Sequence, residues 1–486
     1  MEKYTAIIIG SGPAGHTCAV RLSQLGAKVA VVERDYVGGI CTNWGCTPSK
    51  SMIESAKIAR IVKESARYGI QVPDYTIDFS QVAARRDQVI RHARQEVTDL
   101  VRAHGVDIYQ GEAELLAPGK VLVRAGKLDL DGVEMHYNGT EDLLEAEHVV
   151  LATGSRPLIP DFVDMNEPFV VSSNRLISIG QLPETLTIVG GGVIGLEFAT
   201  IFSNLGSQVT VVEFLDRVLA TLDPEISAEI TREMNAHGVR ILTHHQVVAV
   251  KDGVIRAVDR TTNKPVEIAS QAVLIAIGRE PVIHKAMFDR LGIAYSAKGI
   301  GVDEALRTNV PGIWAIGDAT GKSILAHVGM QQGQVAAENI MKAPGESLRH
   351  MDYSVIPAVV YSIPEVVSVG VVPGDTTGVE TFRVPFSANL RARIEAFEEG
   401  FLKIWVKEGR LLAAQAIGHG VSEIMQELAN AIALKTPIAE IAEIIHAHPT
   451  YSEIARSALE YALGKPVDFY PEGIVESSNV GSSGSI

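Results

Sequence analysis

The sequence predicts an α/β protein, chiefly because a strand, a glycine turn, a helix and a second strand occur twice. Residues 6–15 (AIIIGSGPAG) and 186–195 (LTIVGGGVIG) carry the two G-x-G-x-x-G turns, 180 positions apart. In each copy the second strand ends at an acid, Glu33 or Glu213, 18 residues after the last glycine of the turn. From Tyr353 onward, short alternating strands followed by helices replace this pattern. We therefore predict two Rossmann-like dinucleotide-binding domains and an α+β C-terminal domain.

The two glycine turns are the predicted dinucleotide sites. Glycines let the backbone approach a pyrophosphate closely, and the following helix presents unpaired N–H groups and a positive dipole end. The acids are placed to accept hydrogen bonds from ribose hydroxyls, although an ordinary solvated strand end is the alternative for either one. Since an acid at this point repels a 2′-phosphate, the second copy favours NAD over NADP. The residues assigned to these contacts are Gly10, Gly12, Gly15 and Glu33 in the first copy and Gly190, Gly192, Gly195 and Glu213 in the second.

A cysteine pair follows the first nucleotide turn and its acid. Cys41 and Cys46 are five positions apart within residues 38–50 (GGICTNWGCTPSK). In a regular helix, residues at i and i+5 lie roughly 8 Å apart, beyond the ~7 Å Cα limit for a disulfide, so a bridge requires an irregular turn, which Gly45 permits. Two buried free thiols are the alternative, but the flanking sequence favours a redox disulfide. The third cysteine, Cys18, lies among apolar residues at helical spacing and is predicted to belong to the core.

The composition limits the classes of function. Of 486 residues, 46% are apolar and 21% are charged, which is typical of a globular protein, and no apolar stretch is long enough to span a bilayer. The formal charge of −15 opposes nucleic-acid binding and favours basic partners. Three cysteines are too few for a secreted disulfide framework. We therefore expect a cytoplasmic protein that binds neither nucleic acid nor a membrane.

Four further segments identify a family when they are taken with the cysteine segment. They are residues 152–157 (ATGSRP), 276–281 (AIGREP), 308–318 (TNVPGIWAIGD) and 446–453 (HAHPTYSE). In order and spacing, these motifs resemble those of the flavoprotein disulfide reductases, or pyridine nucleotide-disulfide oxidoreductases. The resemblance extends over roughly residues 4–470 and is closest to the dihydrolipoamide dehydrogenase branch.

The resemblance implies FAD in the first repeat, NAD in the second, and no metal. Lys50 would lie near the flavin and pair with Glu197, because a buried cation needs such a partner. The other residues that the matching motifs assign to cofactor binding are Gly111, Thr153, Gly154, Asp318 at the ribitol chain, and Gly278 at NAD.

The resemblance also implies a redox disulfide and a homodimer formed by the C-terminal domain. His448 would be the acid–base residue, oriented by Glu453, and would serve the disulfide of the partner subunit. A positioned histidine suits proton exchange with a thiol near neutral pH. His446 is expected to have a structural role. In this scheme the substrate thiolate attacks Cys41, the exposed interchange sulfur, while Cys46 lies nearer the flavin.

The repeat and the motifs predict the domain boundaries. Between residues 53 and 104, apolar spacing predicts two helices within the first nucleotide-binding unit. The predicted divisions are an FAD-binding domain at 1–155 with the disulfide, an NAD-binding domain at 156–281, a return to the FAD-binding domain at 282–347, a C-terminal dimerisation domain at 348–472, and a flexible tail at 473–486.

The expected reaction is oxidation of dihydrolipoyl groups to the disulfide, with reduction of NAD+ through FAD. The expected partner is the lipoyl domain of a 2-oxoacid dehydrogenase or glycine-cleavage type complex, or another lipoyl protein. A reductase of another small disulfide is one alternative. A non-catalytic flavin-binding scaffold is another, but it would need neither the cysteine pair nor the histidine and glutamate of the last motif.

Several positions depart from the usual family pattern. Thr42 and Thr47 replace aliphatic residues, Val282 replaces an asparagine, and residues 329–332 (GMQQ) replace a more acidic stretch. These departures leave the expected flavin chemistry intact but leave the choice of disulfide substrate open.

Overall fold

The computed structural model describes residues 2–128 and 135–470. The predicted flexible tail at 473–486 lies outside these residues. Among the helices of the described part of the chain, none is long and apolar enough to cross a membrane. The chain forms two compact units: the first runs to Asp216 and then from His237 to Met351, and the second runs from Arg217 to Ala236 and then from Asp352 onward.

The helices and strands have the following bounds. The strands of the first unit are β1 (Glu2–Ile9), β2 (Val29–Glu33), β3 (Asp107–Ala117), β4 (Lys120–Leu128), β5 (Met135–Leu151), β6 (Ser155–Pro157), β7 (Val170–Val171), β8 (Thr185–Val189), β9 (Gln208–Val212), β10 (Arg240–Leu242), β11 (His245–Lys251), β12 (Val254–Asp259), β13 (Pro265–Ala269), β14 (Ala272–Ile275), β15 (Arg279–Pro281), β16 (Tyr295–Ser296), β17 (Gly299–Ile300) and β18 (Ile313–Ala315). Those of the second unit are β19 (Ala358–Val360), β20 (Glu365–Gly370), β21 (Glu380–Pro385), β22 (Phe401–Lys407) and β23 (Arg410–Gly418). The α-helices are α1 (Pro13–Gln24), α2 (Gly39–Asn43), α3 (Cys46–Lys63), α4 (Phe79–Ala103), α5 (Ser173–Leu176), α6 (Val193–Leu205), α7 (Pro224–Ala236), α8 (Lys285–Leu291), α9 (Ala326–Ile340), α10 (Leu390–Ile394), α11 (Val421–Ala433), α12 (Ile438–Ala442) and α13 (Glu453–Ala462).

The sequence repeat is also a repeat of topology. In the first sheet, the parallel strands lie in the order β3, β2, β1, β5 and β18. Strand β4 is antiparallel and pairs with both β3 and β5. Parallel strands of the second sheet lie in the order β10, β9, β8, β14 and β7, and β11, β12 and β13 form a separate antiparallel ribbon. Both orders are those of a doubly wound nucleotide-binding sheet, so the predicted fold class is confirmed.

The second half of the central strand β1, from Ala6 to Ile9, is apolar because both of its faces are covered. Ala6 and Ile8 belong to one apolar cluster of the first unit, whereas Ile7 and Ile9 belong to another. Successive side chains of a strand point to opposite faces, so this division places a packed layer on each side of the sheet. The continuous apolar run before the first glycine turn is therefore the signature of a buried parallel strand.

The second unit is built on an antiparallel sheet with strand order β19, β20, β23, β22 and β21. Helices α11 and α13 share a buried apolar cluster with this sheet, in which Leu428 and Leu459 accompany Leu402 and Ile404. The unit therefore has the α+β character that the sequence predicts after Tyr353.

Helix α7 belongs to the second unit, although it lies within the residues 156–281 assigned to the NAD-binding domain. The Lys403 side chain is only 13% exposed, and its Nζ lies 3.0 Å from Oδ2 of Asp223 and 2.5 Å from Oε1 of Glu225. A nearly buried ammonium group needs such acidic partners. In addition, the Gln415 side chain accepts a 2.9 Å hydrogen bond from the Asp223 backbone N–H. These polar contacts attach the segment before α7 to β22 and β23, which the sequence pattern did not indicate.

Candidate functional site

The two cysteines form a disulfide across a break between two helices. Cys41 lies in α2, and Cys46 is the first residue of α3. Between them, Gly45 has φ −130° and ψ −105°, a non-helical conformation that brings the two Cα atoms to 4.6 Å. This separation lies within the range of disulfides. The predicted bridge and the predicted irregular turn at Gly45 are thus both present.

Asn43, two residues after Cys41, attaches α2 to the loop that follows β2. The buried Asn43 side chain donates hydrogen bonds to the carbonyl oxygens of Val37 at 3.1 Å and Gly39 at 2.9 Å, and its Oδ1 accepts one from Nε of Arg94 at 2.7 Å. Arg94 comes from α4, 51 residues further along the chain. Sequence reasoning missed this anchor, and the only available signal was a polar residue inside the cysteine segment.

Exposure by itself does not identify the interchange sulfur. In the folded chain Cys46 is exposed and Cys41 is partly buried, whereas the expected scheme described Cys41 as the exposed sulfur. The position of Cys46 at the start of an 18-residue helix has a chemical consequence, because the partial positive charge of a helix N-terminus stabilises a thiolate. Cys46 is therefore the better placed of the two sulfurs to carry the negative charge after the disulfide opens.

A partly exposed lysine, one turn of α3 beyond Cys46, pairs with a buried glutamate. Nζ of Lys50 in α3 is 2.9 Å from each carboxylate oxygen of Glu197 in α6, and the Glu197 side chain is 8% exposed. The predicted pairing is therefore observed. It joins the helix that begins at Cys46 to the helix that follows the second glycine turn, so the ammonium group of Lys50 is held at a fixed position.

The two strand-end acids make equivalent contacts in the two repeats. The backbone N–H groups of Ser11 and Asp35 donate to Glu33 at 2.8 and 2.9 Å. At positions 180 residues later, the N–H groups of Gly191 and Leu215 donate to Glu213 at 2.6 and 2.7 Å. Each carboxylate is thus held against its glycine turn. A carboxylate oxygen can accept more than one hydrogen bond, so both acids remain competent to bind ribose hydroxyls.

The glycine turns have the space that a pyrophosphate requires. A Cβ at Gly10 would collide with the Ala152 carbonyl oxygen, and a Cβ at Gly15 would collide with that of Gly10, so these two glycines serve close packing. Gly12 differs, because no atom of the chain lies within 4 Å of the position that its Cβ would take, and the same holds for Gly192. Each middle glycine therefore faces open space directly before a helix N-terminus, as a bound dinucleotide requires.

Asp318 is the end of a chain of polar side chains in the first unit. Its Oδ2 accepts a 2.5 Å hydrogen bond from the Ser155 hydroxyl, which in turn accepts one of 2.8 Å from Nε of Arg279. A second guanidinium N–H donates to the Ser155 carbonyl oxygen at 2.8 Å. Burial lowers the pKa of Arg279, and the charge of Asp318 opposes that shift. Ser155 and Arg279 belong to recognised motifs, yet sequence reasoning assigned neither of them a role.

The other residues predicted to bind cofactors have identifiable backbone environments. Gly111 lies on β3, where a Cβ would collide with the Arg124 carbonyl oxygen of the paired strand. Gly154 has φ +70° and Gly278 has φ +136°, conformations that favour glycine. Thr153 donates its hydroxyl to the Val282 carbonyl oxygen at 3.3 Å. These features account for the residue types without establishing cofactor contacts, which remain predictions.

Two of the departures from the usual family pattern have simple structural explanations. Val282 meets the 153–154 segment through its backbone N–H and carbonyl groups, so the loss of an asparagine side chain leaves these contacts intact. The fully buried Gln332 accepts a 2.5 Å hydrogen bond from the backbone N–H of Gly317, next to Asp318. A neutral amide oxygen can therefore take this acceptor role in the present chain.

In the second unit, His448 and Glu453 form the predicted pair. The distance from Nδ1 of His448 to Oε1 of Glu453 is 2.8 Å, and Oε2 of Glu453 accepts a 2.6 Å hydrogen bond from the Thr450 backbone N–H. The His448 side chain is 64% exposed. The imidazole is thus held by a carboxylate while its other edge remains accessible. His446, by contrast, is 6% exposed and pairs with Glu427 at 3.1 Å, which agrees with the structural role expected of it.

The loop that carries His448 is held by residues far from it in sequence. The buried Asn389 caps α10 and donates its side-chain amide to the Thr450 carbonyl oxygen at 3.1 Å. The Tyr451 hydroxyl donates to Glu395 at 2.9 Å, and its ring packs against Phe386 and His419. These contacts fix the segment between the histidine and the glutamate.

Among the described residues, no group of histidine, cysteine, aspartate or glutamate side chains is arranged to hold a metal ion.

Comparisons with known proteins agree with this geometry. Residues 4–333 match the family model "Pyridine nucleotide-disulphide oxidoreductase", and residues 356–459 match the dimerisation domain of the same family. Dihydrolipoyl dehydrogenase from Chlamydia pneumoniae is 35% identical over 480 residues, which cover 97% of this chain and 99% of that protein. The enzyme of that name from Geobacillus stearothermophilus is 34% identical over 472 residues, covering 95% of this chain and 96% of the relative.

Two solved structures have the same fold over nearly the whole chain. The HOCl-induced flavoprotein disulfide reductase RclA from Escherichia coli, in its Cu(II) complex, superposes with a TM-score of 0.83 at 26% identity and covers 95% of this chain and 100% of its own. LpdA from Mycobacterium tuberculosis gives a TM-score of 0.83 at 26% identity and covers 94% of this chain and 99% of its own.

Proposed function

The chain belongs to the pyridine nucleotide-disulphide oxidoreductase family, and from this membership we propose that it oxidises protein-bound dihydrolipoyl groups and reduces NAD+. Enzymes of this family are FAD-dependent and NAD-dependent disulfide oxidoreductases, and this chain is one of them. The main support for the proposal is the Cys41–Cys46 disulfide at the start of α3. Relatives named dihydrolipoyl dehydrogenase align with this chain over almost its full length.

The disulfide supports a thiol–disulfide exchange with the substrate. One thiolate of the dihydrolipoyl group attacks Sγ of Cys41, the bond to Cys46 breaks, and Cys46 leaves as a thiolate. The second substrate sulfur then attacks the mixed disulfide, so that the lipoyl disulfide is released and Cys41 and Cys46 are left reduced. The substrate has lost two electrons and two protons, and the cysteine pair has gained the electrons.

The residues near Cys46 are suited to hold the charge that this exchange creates. The helix N-terminus stabilises the Cys46 thiolate, and Lys50, paired with Glu197, follows one turn further along the same helix. FAD, when bound, would supply the redox chemistry that couples the reduced cysteine pair to NAD+. The first glycine turn with Glu33, and Asp318 with its Ser155 partner, would hold FAD, while the second turn with Glu213 would hold NAD.

His448 provides the proton acceptor that the exchange needs. Glu453 fixes the imidazole through Nδ1, so Nε2 is the nitrogen that exchanges protons with the substrate thiol. The match of residues 356–459 to the dimerisation domain supports a homodimer, in which His448 serves the disulfide of the partner subunit. The partner that supplies the substrate is a lipoyl domain of a 2-oxoacid dehydrogenase or glycine-cleavage type complex, or another lipoyl protein.

A reductase of a different small disulfide is the second candidate. It is favoured by the structural similarity to RclA, which its name describes as a flavoprotein disulfide reductase, and by the departures at Thr42 and Thr47 beside the two cysteines. The two candidates use the same cysteines and the same histidine, so only the substrate separates them.

Steady-state rates of the purified FAD enzyme test the proposal. Dihydrolipoamide and reduced glutathione are compared as electron donors, each with NAD+ and with NADP+, and a Cys41→Ser variant serves as the blank. We expect turnover with dihydrolipoamide and NAD+ and at least about a tenfold advantage in kcat/KM over every other pair. Absence of turnover with dihydrolipoamide, with reduction of another disulfide by NADH, would favour the second candidate.

A further inference from the structure

A cation that sequence reasoning did not identify lies beside the proposed NAD site. Phe214 follows Glu213 directly, and the centre of its ring is 3.9 Å from Cζ of Arg260. Nη1 of the same guanidinium donates to the Phe214 carbonyl oxygen at 3.0 Å. Arg260 follows β12 and is 46 residues from Phe214 along the chain, so only the folded structure brings them together.

Backbone hydrogen bonds tie Arg260 to the carboxyl end of β9. The Arg260 N–H donates to the His244 carbonyl oxygen at 2.8 Å, and the His244 N–H donates to that of Leu215 at 2.7 Å. The N–H of His245 in turn donates to the Glu213 carbonyl oxygen at 2.9 Å. Nucleotides bind outside the carboxyl ends of strands in this fold, so Arg260 lies at the edge where the adenosine ribose is expected.

The contacts of Arg260 leave its charge in place. A ring face and a carbonyl oxygen are neutral partners, and Arg260 is exposed to solvent. Guanidinium groups bind phosphates through several N–H donors in a fixed plane, and an arginine at this point of a Rossmann fold can accommodate a 2′-phosphate. Glu213 has the opposite effect, because it binds a free 2′-hydroxyl and repels a phosphate there.

We propose that Arg260 is a second determinant of nucleotide choice at this site: its guanidinium attracts a 2′-phosphate on the adenosine ribose, and Glu213 overrides that attraction. The inference rests on the proposed NAD dependence and deepens it. The preference for NAD is then a balance between an acid and a base, and removing the acid alone exposes an existing phosphate-binding group. Removing Arg260 alone makes the preference for NAD stricter.

Calorimetric titration of the FAD-loaded enzyme with 5′-AMP and with 2′,5′-ADP tests this, because the two probes differ only by the 2′-phosphate. The ratio of their dissociation constants is measured for wild type, Glu213→Gln, Arg260→Ala and the double variant. We expect Glu213→Gln to improve 2′,5′-ADP relative to 5′-AMP by about tenfold or more, and Arg260→Ala to abolish most of that gain in the double variant.

Two further variants make the result specific to the Arg260 charge. Arg256→Ala is the matched control, since Arg256 is an exposed arginine on the same ribbon whose Nε lies 2.9 Å from Glu267. It should leave the ratio unchanged. Arg260→Lys keeps the charge and should retain most of the gain. An equal gain with and without Arg260, or the same loss in Arg260→Lys as in Arg260→Ala, would overturn the proposal.

The probes contain neither nicotinamide nor sulfur, so their binding is independent of the disulfide substrate. Failure to oxidise dihydrolipoamide would contradict the proposed function. The ratios of the dissociation constants for 2′,5′-ADP and 5′-AMP would still test the role of Arg260. A wild-type enzyme that binds 2′,5′-ADP more tightly than 5′-AMP would contradict the assignment of NAD and, with it, the overriding effect of Glu213.

Discussion

Nδ1 of His448 lies 2.8 Å from Oε1 of Glu453, five positions further along the chain, and the Thr450 N–H between them donates to the other carboxylate oxygen. The carboxylate therefore does two things at once: it closes the turn, and it fixes the imidazole with its Nδ1 proton bound. An imidazole fixed in this way presents Nε2 as its basic nitrogen.

Replacing His448 should remove proton exchange with the substrate. We expect His448→Gln to lower kcat/KM for dihydrolipoamide by about 10²–10⁴, the range associated with general acid–base catalysis, and to leave the visible spectrum of bound FAD unchanged. Glu453→Gln should cause a smaller loss and shift the pH dependence of kcat/KM. The control is His446→Gln, which should affect the melting temperature rather than the pH profile. A His448→Gln enzyme with wild-type activity would exclude the acid–base role.

Single cysteine variants should differ in their absorption spectra. Cys41→Ser leaves Cys46 free near the flavin, so this variant should show a long-wavelength charge-transfer band at rest, which bleaches at low pH as the thiolate takes up a proton. Cys46→Ser should lose disulfide exchange as well but show no band. Visible spectra of both variants, recorded across pH, test this prediction. The band in Cys46→Ser instead would reverse the assignment of the two sulfurs, which exposure in the folded chain does not settle.

Two inactive variants should restore activity when they share a dimer. If His448 serves the disulfide of the partner subunit, a heterodimer of Cys41→Ser and His448→Ala subunits contains one site with an intact disulfide and an intact histidine. Activity measured after subunit exchange should rise toward the level expected for one functional site per heterodimer. Exchange is verified by mass-labelled subunits. Proven exchange without any gain in activity would mean that each active site is complete within one chain.

The middle glycines of the two turns offer a matched test of the cofactor assignment. Gly12 and Gly192 both have negative φ, −58° and −83°, and no atom of the chain within 4 Å of an added Cβ, so alanine should fold normally at either position. We expect Gly12→Ala to weaken FAD and Gly192→Ala to weaken NAD, each by about 1–3 kcal/mol because a methyl group crowds the pyrophosphate. FAD content and NADH titration measure the two effects. Loss of FAD in Gly192→Ala alone would exchange the assignments.

The third cysteine, Cys18, should not react with thiol reagents in the native enzyme. Cys18 is fully buried, and burial raises the pKa of its thiol to about 12, so almost no thiolate is available to react near neutral pH. After reduction of the disulfide, thiol reagents should count two groups in the folded enzyme and three after denaturation. A third fast-reacting thiol in the folded protein would contradict the packed environment of Cys18.

The features that could be predicted from the sequence are those that depend on local geometry. The repeated glycine turns predict where a backbone must approach another backbone, and the acids 18 residues later mark the strand ends, because strand, turn and helix lengths are set by covalent geometry and hydrogen bonding. The spacing of Cys41 and Cys46 likewise required a break in the helix, which the structure places at Gly45. The pair formed by His448 and Glu453 is also local, since one turn joins the two residues.

The contacts that join distant segments could not be predicted and are seen only in the folded chain. Asn43 meets Arg94, Ser155 links Arg279 to Asp318, and Lys403 on β22 pairs with Asp223, which precedes α7. The side chains involved are polar, and their residue types carry no periodic signal. A buried charge or amide is costly without a hydrogen bond, so it pairs with a group from another segment. Which segment supplies that group depends on how the helices and sheets pack.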